Sequence, residues 1–98
     1  MTVSVIATLQ VQEGKVDEFV ALALEQVAAV AANEPGCSLY TLNRGDDPTT
    51  FTFMERYDDD AAFAAHGQTE YFKAFFASAG EMLAGAPAIS LMHEVTPG

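Results

Sequence analysis

The sequence predicts a single α+β domain in which helices cover one face of an antiparallel sheet. Three observations support this prediction. Apolar residues alternate with polar ones over four short segments, they follow a helical period over two longer segments, and no linker separates these segments. A chain of 98 residues holds one hydrophobic core, so we expect one domain that comprises residues 1–98.

The first strand and the first helix are distinguished by a change in hydrophobic period. A strand is predicted where apolar side chains take alternate positions, at Val3, Val5, Ala7, Leu9 and Val11. From Gly14 to about Asn33, apolar residues instead recur every third or fourth position, which predicts a helix with one apolar side. Pro35-Gly36 follow directly and should end this helix.

A hairpin is predicted in the middle of the chain. Cys37 to Arg44 and Thr50 to Tyr57 have the composition of strands. The run Gly45-Asp46-Asp47-Pro48 joins them and consists of residues that favour turns. We therefore expect these two strands to be antiparallel neighbours.

The second helical region is predicted to consist of two pieces. Asp59 can cap a short helix, Gly67 interrupts it, and Thr69 can cap a second helix that runs to about Leu83. A fourth strand is predicted from Ala88 to Val95 because apolar and polar residues alternate again.

The resulting order, β-α-β-β-α-β, is that of the ferredoxin-like fold, with a four-stranded antiparallel sheet and helices on one face. The strands carry large apolar side chains on both faces, for example Phe53 on one face and Met54 on the other. Helices on one side leave the second face uncovered, and an uncovered apolar face is an interaction surface. The sequence therefore predicts a homodimer in which two sheets pack against each other.

Charge and composition argue against several partners. Fourteen acidic residues against four basic ones give a formal net charge of −10, which disfavours nucleic acids and anionic membranes because both are negatively charged. No apolar run approaches the roughly 20 residues that span a bilayer, and the first residues have the pattern of a strand instead of a signal peptide. The single cysteine, Cys37, fits a reducing cytoplasm. We therefore predict a cytoplasmic protein without nucleic-acid or membrane partners.

No motif in the sequence predicts a cofactor or a metal. The glycine-rich turns that bind dinucleotides and phosphates are absent, and there is no cysteine pair for zinc. His66, His93 and Glu55 would suffice by number for iron(II), but they fall on three separate elements without the spacing of a metal site. We therefore expect chemistry that needs neither a cofactor nor a metal.

Glu55, His66 and Tyr71 are the residues predicted to carry catalysis. Glu55 falls in an apolar row, where burial raises the pKa of a carboxyl and can make it a base near neutral pH; alternatively, it reaches solvent or pairs with an arginine. His66 should face the sheet, either as a hydrogen-bonded core histidine or as a hydrogen-bond partner of Glu55. The Tyr71 hydroxyl could contact a ligand or lie exposed.

Ten aromatic side chains are distributed over this small domain. Rings on a helix are more often core than ligand contacts, but many large rings seldom fill a small core without gaps. We therefore expect a flat cavity between the sheet and the helices, and a pocket of roughly a few hundred cubic ångströms would support a small-molecule site there. The residues predicted to form it are Tyr40, Phe53, Tyr57, Phe63, Phe72, Phe75 and Phe76.

With these residues identified, the chain resembles the antibiotic biosynthesis monooxygenase family, whose members are small dimeric α+β barrel proteins. The resemblance extends over about residues 3–95. The matching features are Pro35-Gly36-Cys37 at the second strand, Asp47-Pro48 in the hairpin, Glu55-Arg56-Tyr57 at the end of the third strand, His66, Thr69 and Phe72.

The resemblance implies a dimer that shares a β-barrel and a pocket between sheet and helices. Family members include cofactor-free monooxygenases in which the deprotonated aromatic substrate passes an electron to O₂, so the protein supplies a base, orientation and a dry pocket. Glu55 and His66 fit the base and its orienting partner. Phe76 stands where haem-degrading relatives carry an axial histidine, and the chain has no Trp, which argues against haem and against anthrone-type substrates.

Three hypotheses for function follow. The first is a cofactor-independent monooxygenase that acts on a small aromatic or quinol-like substrate with O₂. The second is an isomerase of a small carbonyl compound, which would use the same Glu55 and His66 pair without oxygen. The third is a non-catalytic dimeric binding domain in which the aromatic cluster is simply core.

Overall fold

The computed structural model describes residues 1–96. Its elements are β1 (Val3–Gln10), a 3-10 turn (Glu13–Lys15), α1 (Val16–Asn33), β2 (Cys37–Arg44), β3 (Thr50–Tyr57), α2 (Asp60–Gly67), α3 (Glu70–Gly80) and β4 (Ala88–His93). This order confirms the predicted α+β, ferredoxin-like arrangement, with the second helical region in two pieces. The observed bounds of β2 and β3 are those predicted.

The four strands form one antiparallel sheet in the order β2-β3-β1-β4. The central strand β1 pairs on both sides, so that Val5 lies opposite Glu55 of β3 and also opposite Leu91 of β4. A β-bulge directly after Cys37 shifts the register of β2. Because of this extra residue, Cys37 and Tyr40 both lie on the side of the sheet that faces the helices.

The core lies between this face of the sheet and the helices. Alternate residues of β1 and β3 are buried there, which is the pattern of strands with one covered face. Phe19 of α1 is completely buried, and its ring centroid lies 5.2 Å from that of Phe51 and 6.3 Å from that of Phe75. These contacts join α1, β3 and α3 into one hydrophobic layer.

Local sequence positions the two short helices. The side chain of Asp59 accepts a hydrogen bond from the Ala62 backbone N–H at 2.8 Å, and Thr69 accepts one from Phe72 at 3.3 Å, so both predicted N-caps are confirmed. Gly36 lies where α2 passes close to the start of β2. A Cβ atom there would come within 2.9 Å of the Ala62 Cβ, so glycine permits this close approach.

The predicted α3 and β4 run past the ends of the observed elements. α3 ends at Gly80 instead of near Leu83, because the chain turns back and Leu83 forms an isolated antiparallel bridge with Val11. β4 ends at His93 instead of Val95, because the pairing strand β1 begins opposite His93. In both cases the end of the element coincides with pairing to a residue at or next to an end of β1.

No helix in residues 1–96 covers the second face of the sheet, as the sequence analysis predicted. Leu39, Met54 and Met92 on this face have exposed fractions of 38%, 41% and 43%. On the opposite face, β4 extends past the helices, so Ile89 and Leu91 are each 55% exposed. Within residues 1–96 we find no helix with the length and apolar character needed to cross a membrane.

Candidate functional site

A cleft lies between the sheet, α2 and α3, beside the uncovered strand β4. Its volume is about 90 Å³. The strands contribute Val5, Ala7 and Ile89 to its wall, and the helices contribute Phe63, Phe72 and Phe76. Against this apolar wall, the cleft also holds the side chains of Glu55 and His66.

Glu55 is a buried carboxyl group at the floor of the cleft. The residue is 8% exposed, and its Oε1 accepts a hydrogen bond from the Tyr57 hydroxyl at 2.6 Å. Burial raises the pKa of Glu55, while the Tyr57 hydrogen bond and the nearby His66 lower it by less. Glu55 therefore keeps its proton to a higher pH than an exposed glutamate does.

The alternative in which an arginine pairs with Glu55 is not what the structure shows. Arg56 lies 3.5 Å from a carboxylate oxygen of Glu94. The guanidinium of Arg44 lies over the Phe51 ring, 5.0 Å from its centroid. Both cations are thus engaged elsewhere.

His66 is enclosed by aromatic rings, with 2% of its surface exposed. Its ring centroid lies 5.4, 5.3 and 4.8 Å from those of Tyr40, Tyr57 and Phe72. Its Nδ1 atom lies 2.9 and 3.0 Å from the two carboxylate oxygens of Glu34. Its Nε2 atom is buried and has no hydrogen-bond partner within residues 1–96, an arrangement that is uncommon and calls for an explanation.

The predicted hydrogen bond between Glu55 and His66 is not formed. Each group has a different partner, because Tyr57 lies two residues from Glu55 on the same face of β3, and Glu34 approaches Nδ1 of His66 from the end of α1. The two side chains still line one cleft, and a charge on His66 lowers the pKa of Glu55. The pair is therefore coupled through space without a direct bond.

Tyr71 is not among the residues that line the cleft. Its hydroxyl donates a hydrogen bond to Oε2 of Glu34, the same carboxylate that contacts His66. Burial, together with this carboxylate, raises the pKa of Tyr71 to about 12, so the phenol is a donor at neutral pH. The structure thus connects Tyr71 to His66 through Glu34.

The seven aromatic residues predicted to form the pocket fall into two groups. Those that line the cleft are Phe63, Phe72 and Phe76. Those that pack outside its wall are Tyr40, Phe53, Tyr57 and Phe75, and the last three are almost fully buried. The second group supports the first, since Phe75 contacts both Phe53 and Phe76 edge to face.

The cleft is smaller than the pocket of roughly a few hundred cubic ångströms that would support a small-molecule site. Its rings pack closely, with 4.8 Å between the centroids of Phe72 and Phe76. A closed cavity of about 150 Å³ is known to hold benzene, so a single aromatic ring needs more room than these 90 Å³. Beside Ile89, which lines the cleft and is 55% exposed, the cleft is open to solvent.

The three residues considered for iron(II) do not form one site. His93 lies on the exposed strand β4, where its Nε2 is 2.8 Å from an oxygen of Asp60. Among residues 1–96, no group of three histidine, cysteine, aspartate or glutamate side chains could hold a metal ion.

Glu34 is the residue of this site that the sequence analysis missed. It directly precedes Pro35, and a residue before proline is driven out of the helical conformation. Its observed φ of −122° and ψ of 83° end α1 and turn the side chain towards α2. An acid before a proline at a helix end was the available signal, but the sequence alone does not show that its partner is His66.

We expect Glu55→Gln to change how stability depends on pH. Because burial raises the pKa of Glu55 above its ordinary 4.5, its stabilising contribution is complete below pH 4.5 and is lost as pH rises through the folded-state pKa. Glutamine does not titrate and can still accept the Tyr57 hydrogen bond. The free energy of unfolding of Glu55→Gln, relative to the natural protein, should therefore be higher at pH 7.5 than at pH 4.5.

Urea unfolding at both pH values measures this difference. Glu25→Gln, at an exposed position of α1, is the matched control and should show a smaller change with pH. An equal change in both variants would contradict a role for burial at Glu55.

Comparison with known proteins adds independent findings. The family model described as antibiotic biosynthesis monooxygenase matches residues 2–78. A crystal structure described as a "putative antibiotic biosynthesis monooxygenase" from Caulobacter crescentus CB15 is 41% identical, with a TM-score of 0.93 over 97% of this chain and 91% of that one. The structure of Rv0793 from Mycobacterium tuberculosis, 23% identical with a TM-score of 0.91 over 99% and 98% of the two chains, shows the fold alone. A curated relative, "Putative monooxygenase YcnE" of Bacillus subtilis (strain 168), is 29% identical over 77 residues, which are 79% of this chain and 81% of the relative.

Proposed function

Because the chain belongs to the antibiotic biosynthesis monooxygenase family, we propose that it is a cofactor-independent monooxygenase that oxidises a small, quinol-type aromatic substrate with O₂. The observation that carries this proposal is the buried Nε2 of His66, which has no partner within residues 1–96. His66 lines an apolar cleft that also holds the carboxyl group of Glu55. A substrate hydroxyl would supply the hydrogen bond that Nε2 lacks.

In the proposed reaction, His66 is the base, whereas the sequence analysis expected Glu55 in this role with His66 as its orienting partner. Nε2 of His66 takes the proton of one substrate hydroxyl, and the apolar wall leaves the resulting phenolate poorly solvated and easy to oxidise. The phenolate passes one electron to O₂, and the radical and superoxide combine at a ring carbon to form a peroxide anion. The proton held on Nε2 of His66 is returned to this peroxide, which gives a substrate hydroperoxide and restores neutral His66. Loss of water from this hydroperoxide leaves a carbonyl at that carbon.

The atoms and electrons balance without an external reductant. A quinol and O₂ give a hydroxyquinone and water, so one oxygen atom enters the substrate and the other leaves as water. All four electrons come from the substrate. The protein therefore supplies a base, a dry cleft and an orientation, which are the contributions available from this site.

Glu55 is proposed to orient the substrate. The Tyr57 hydroxyl occupies Oε1, and the second oxygen of the carboxyl can bond a second hydroxyl on the substrate. A quinol offers two hydroxyl groups on one flat ring, which matches one nitrogen and one carboxyl oxygen in an apolar cleft. A substrate without the second hydroxyl would lose this contact.

Oxygen uptake with a series of one-ring and two-ring quinols tests the proposal. We expect consumption of O₂ by the purified protein without added cofactor and incorporation of one atom from ¹⁸O₂ into the product. Anaerobic conversion of a small carbonyl compound would instead favour the isomerase. If the folded protein consumes no O₂ with any quinol in the series, the proposal is wrong.

We also propose that the chain forms a homodimer through the open face of its sheet. Leu39 of β2, Met54 of β3 and Met92 of β4 place three large exposed apolar side chains on this face, and clustered exposed apolar side chains mark an interaction surface. A second copy of the chain offers the same surface and can cover it with two-fold symmetry.

Met54→Asp is expected to weaken this dimer. The substitution places a charge in the proposed interface twice, once from each protomer, and like charges that face each other there cost several kcal/mol. The dissociation constant from sedimentation equilibrium should rise by roughly tenfold or more.

Leu24→Asp, on the solvent side of α1, is the matched control because Leu24 is 55% exposed and the substitution also replaces a large apolar side chain with aspartate. The Leu24→Asp variant should leave the dissociation constant of the dimer unchanged. A natural protein that sediments as a monomer at micromolar concentration would contradict the proposed dimer.

A further inference from the structure

We propose that Glu34 is the positioning residue of the site: its carboxylate, anchored by Tyr71, keeps the proton of neutral His66 on Nδ1 and leaves Nε2 unprotonated towards the cleft. The role of this tautomer in catalysis rests on the proposed function, but the position of the proton on Nδ1 does not depend on that function. Neither the matched family description nor the names of the relatives assign a role to this glutamate.

The contact geometry supports a single, defined partner for Nδ1. Both oxygens of the Glu34 carboxylate lie within hydrogen-bonding distance of it, at 2.9 and 3.0 Å. A carboxylate can only accept hydrogen bonds, so Nδ1 must carry the hydrogen. Since neutral imidazole has one N–H, Nε2 then has a free lone pair.

Glu34 is itself held in place from two sides. Its backbone N–H donates to the Val30 carbonyl at 2.9 Å, which closes the last turn of α1. Its Oε2 accepts the hydroxyl of Tyr71 on α3. The carboxylate therefore joins the end of α1 to α3 and to His66 on α2, and its side chain is only 11% exposed.

The surroundings of His66 strengthen the effect of this contact. The rings of Tyr40, Tyr57 and Phe72 surround the imidazole. They exclude water that would compete with Glu34 for Nδ1, and they restrict rotation of the imidazole ring. When Nε2 accepts a proton from a substrate, the negative charge of Glu34 compensates the positive charge that forms on the ring.

The tautomer of His66 in the natural protein provides a direct test. Two-dimensional ¹⁵N–¹H NMR that correlates the ring nitrogens with the ring protons distinguishes Nδ1–H from Nε2–H. We expect the neutral ring to be in the Nδ1–H form, although free histidine favours Nε2–H. An Nε2–H ring in the natural protein would overturn the proposal, and this measurement needs no variant and no activity.

The Glu34→Gln variant tests whether the Glu34 carboxylate determines the tautomer of His66. The glutamine carbonyl can accept the Tyr71 hydroxyl, and its NH₂ group then donates to Nδ1, so the proton of His66 should move to Nε2. In oxygen-uptake assays kcat should fall by about 10²–10⁴-fold, while KM should change only a few-fold, because the substrate contacts remain. An unchanged tautomer in Glu34→Gln would overturn the proposal.

Two further variants, Glu70→Gln and Tyr71→Phe, separate the role of Glu34 from the roles of a nearby acid and of Tyr71. Glu70→Gln neutralises an exposed acid next to Tyr71 in the sequence and should leave both the tautomer and kcat unchanged. Tyr71→Phe removes the anchor but not the contact with Nδ1, so Nδ1–H should persist; its loss would assign the tautomer to Tyr71 and overturn the role of Glu34. Because the NMR result is independent of turnover, failure of this inference and failure of the proposed function can be told apart.

Discussion

His66→Asn is expected to lower the kcat for oxygen uptake by about 10²–10⁴-fold, the range that a general base contributes. The asparagine NH₂ group can take the position of Nδ1 and donate to Glu34, so the buried carboxylate keeps a partner. The substitution removes Nε2, the atom proposed to accept the substrate proton. The His66→Asn variant therefore removes the proposed base but keeps the hydrogen bond to Glu34, whereas His66→Ala would remove both.

The same substitution at the other of the two histidines, His93, is the control for this experiment. His93 is exposed and hydrogen-bonded to Asp60, so His93→Asn should retain natural activity. Steady-state oxygen uptake, with circular dichroism to verify folding, gives the comparison. Full activity in a folded His66→Asn variant would show that His66 is not the base.

Phe19→Ala is expected to reduce the free energy of unfolding by about 3–5 kcal/mol, the usual cost of removing a buried aromatic ring. Phe19 is completely buried and contacts Phe51 of β3 and Phe75 of α3. Alanine would leave a cavity between the sheet and both helices. Because domains are typically stable by only about 5–15 kcal/mol, this single change could leave much of the protein unfolded.

Urea unfolding at neutral pH measures this loss. Leu24→Ala is the matched control on the same helix, since Leu24 is 55% exposed, and it should change the free energy of unfolding by less than about 0.5 kcal/mol. Equal losses in the two variants would show that the contacts of Phe19 do not hold the layers together.

Much of the fold could be predicted because its signals are local. The bounds of β2 and β3 and the two caps at Asp59 and Thr69 follow from residues within a few positions of each element. The ends of α3 and β4 could not be predicted in the same way. Both coincide with pairing to a residue at or next to an end of β1, which is distant in sequence but adjacent in the sheet.

The site was predictable in part for the same reason. Strand alternation indicated that Glu55 would be buried, and helical spacing indicated that His66 would face the sheet; both are observed. Their hydrogen-bond partners were not predictable. Glu34 reaches His66 across 32 positions of sequence, and no periodic pattern indicates such a contact.

By itself, the sequence determined the order of the strands and helices, most of their bounds and the burial of Glu55 and His66, because these properties arise from hydrophobic period, capping and turn chemistry along neighbouring residues. Only the tertiary structure decided that Glu34 and Tyr71 meet at Nδ1 of His66 and that Nε2 is left unpaired. The physical reason is that a hydrogen bond depends on tenths of an ångström between groups on different elements, and packing of the whole domain sets those distances.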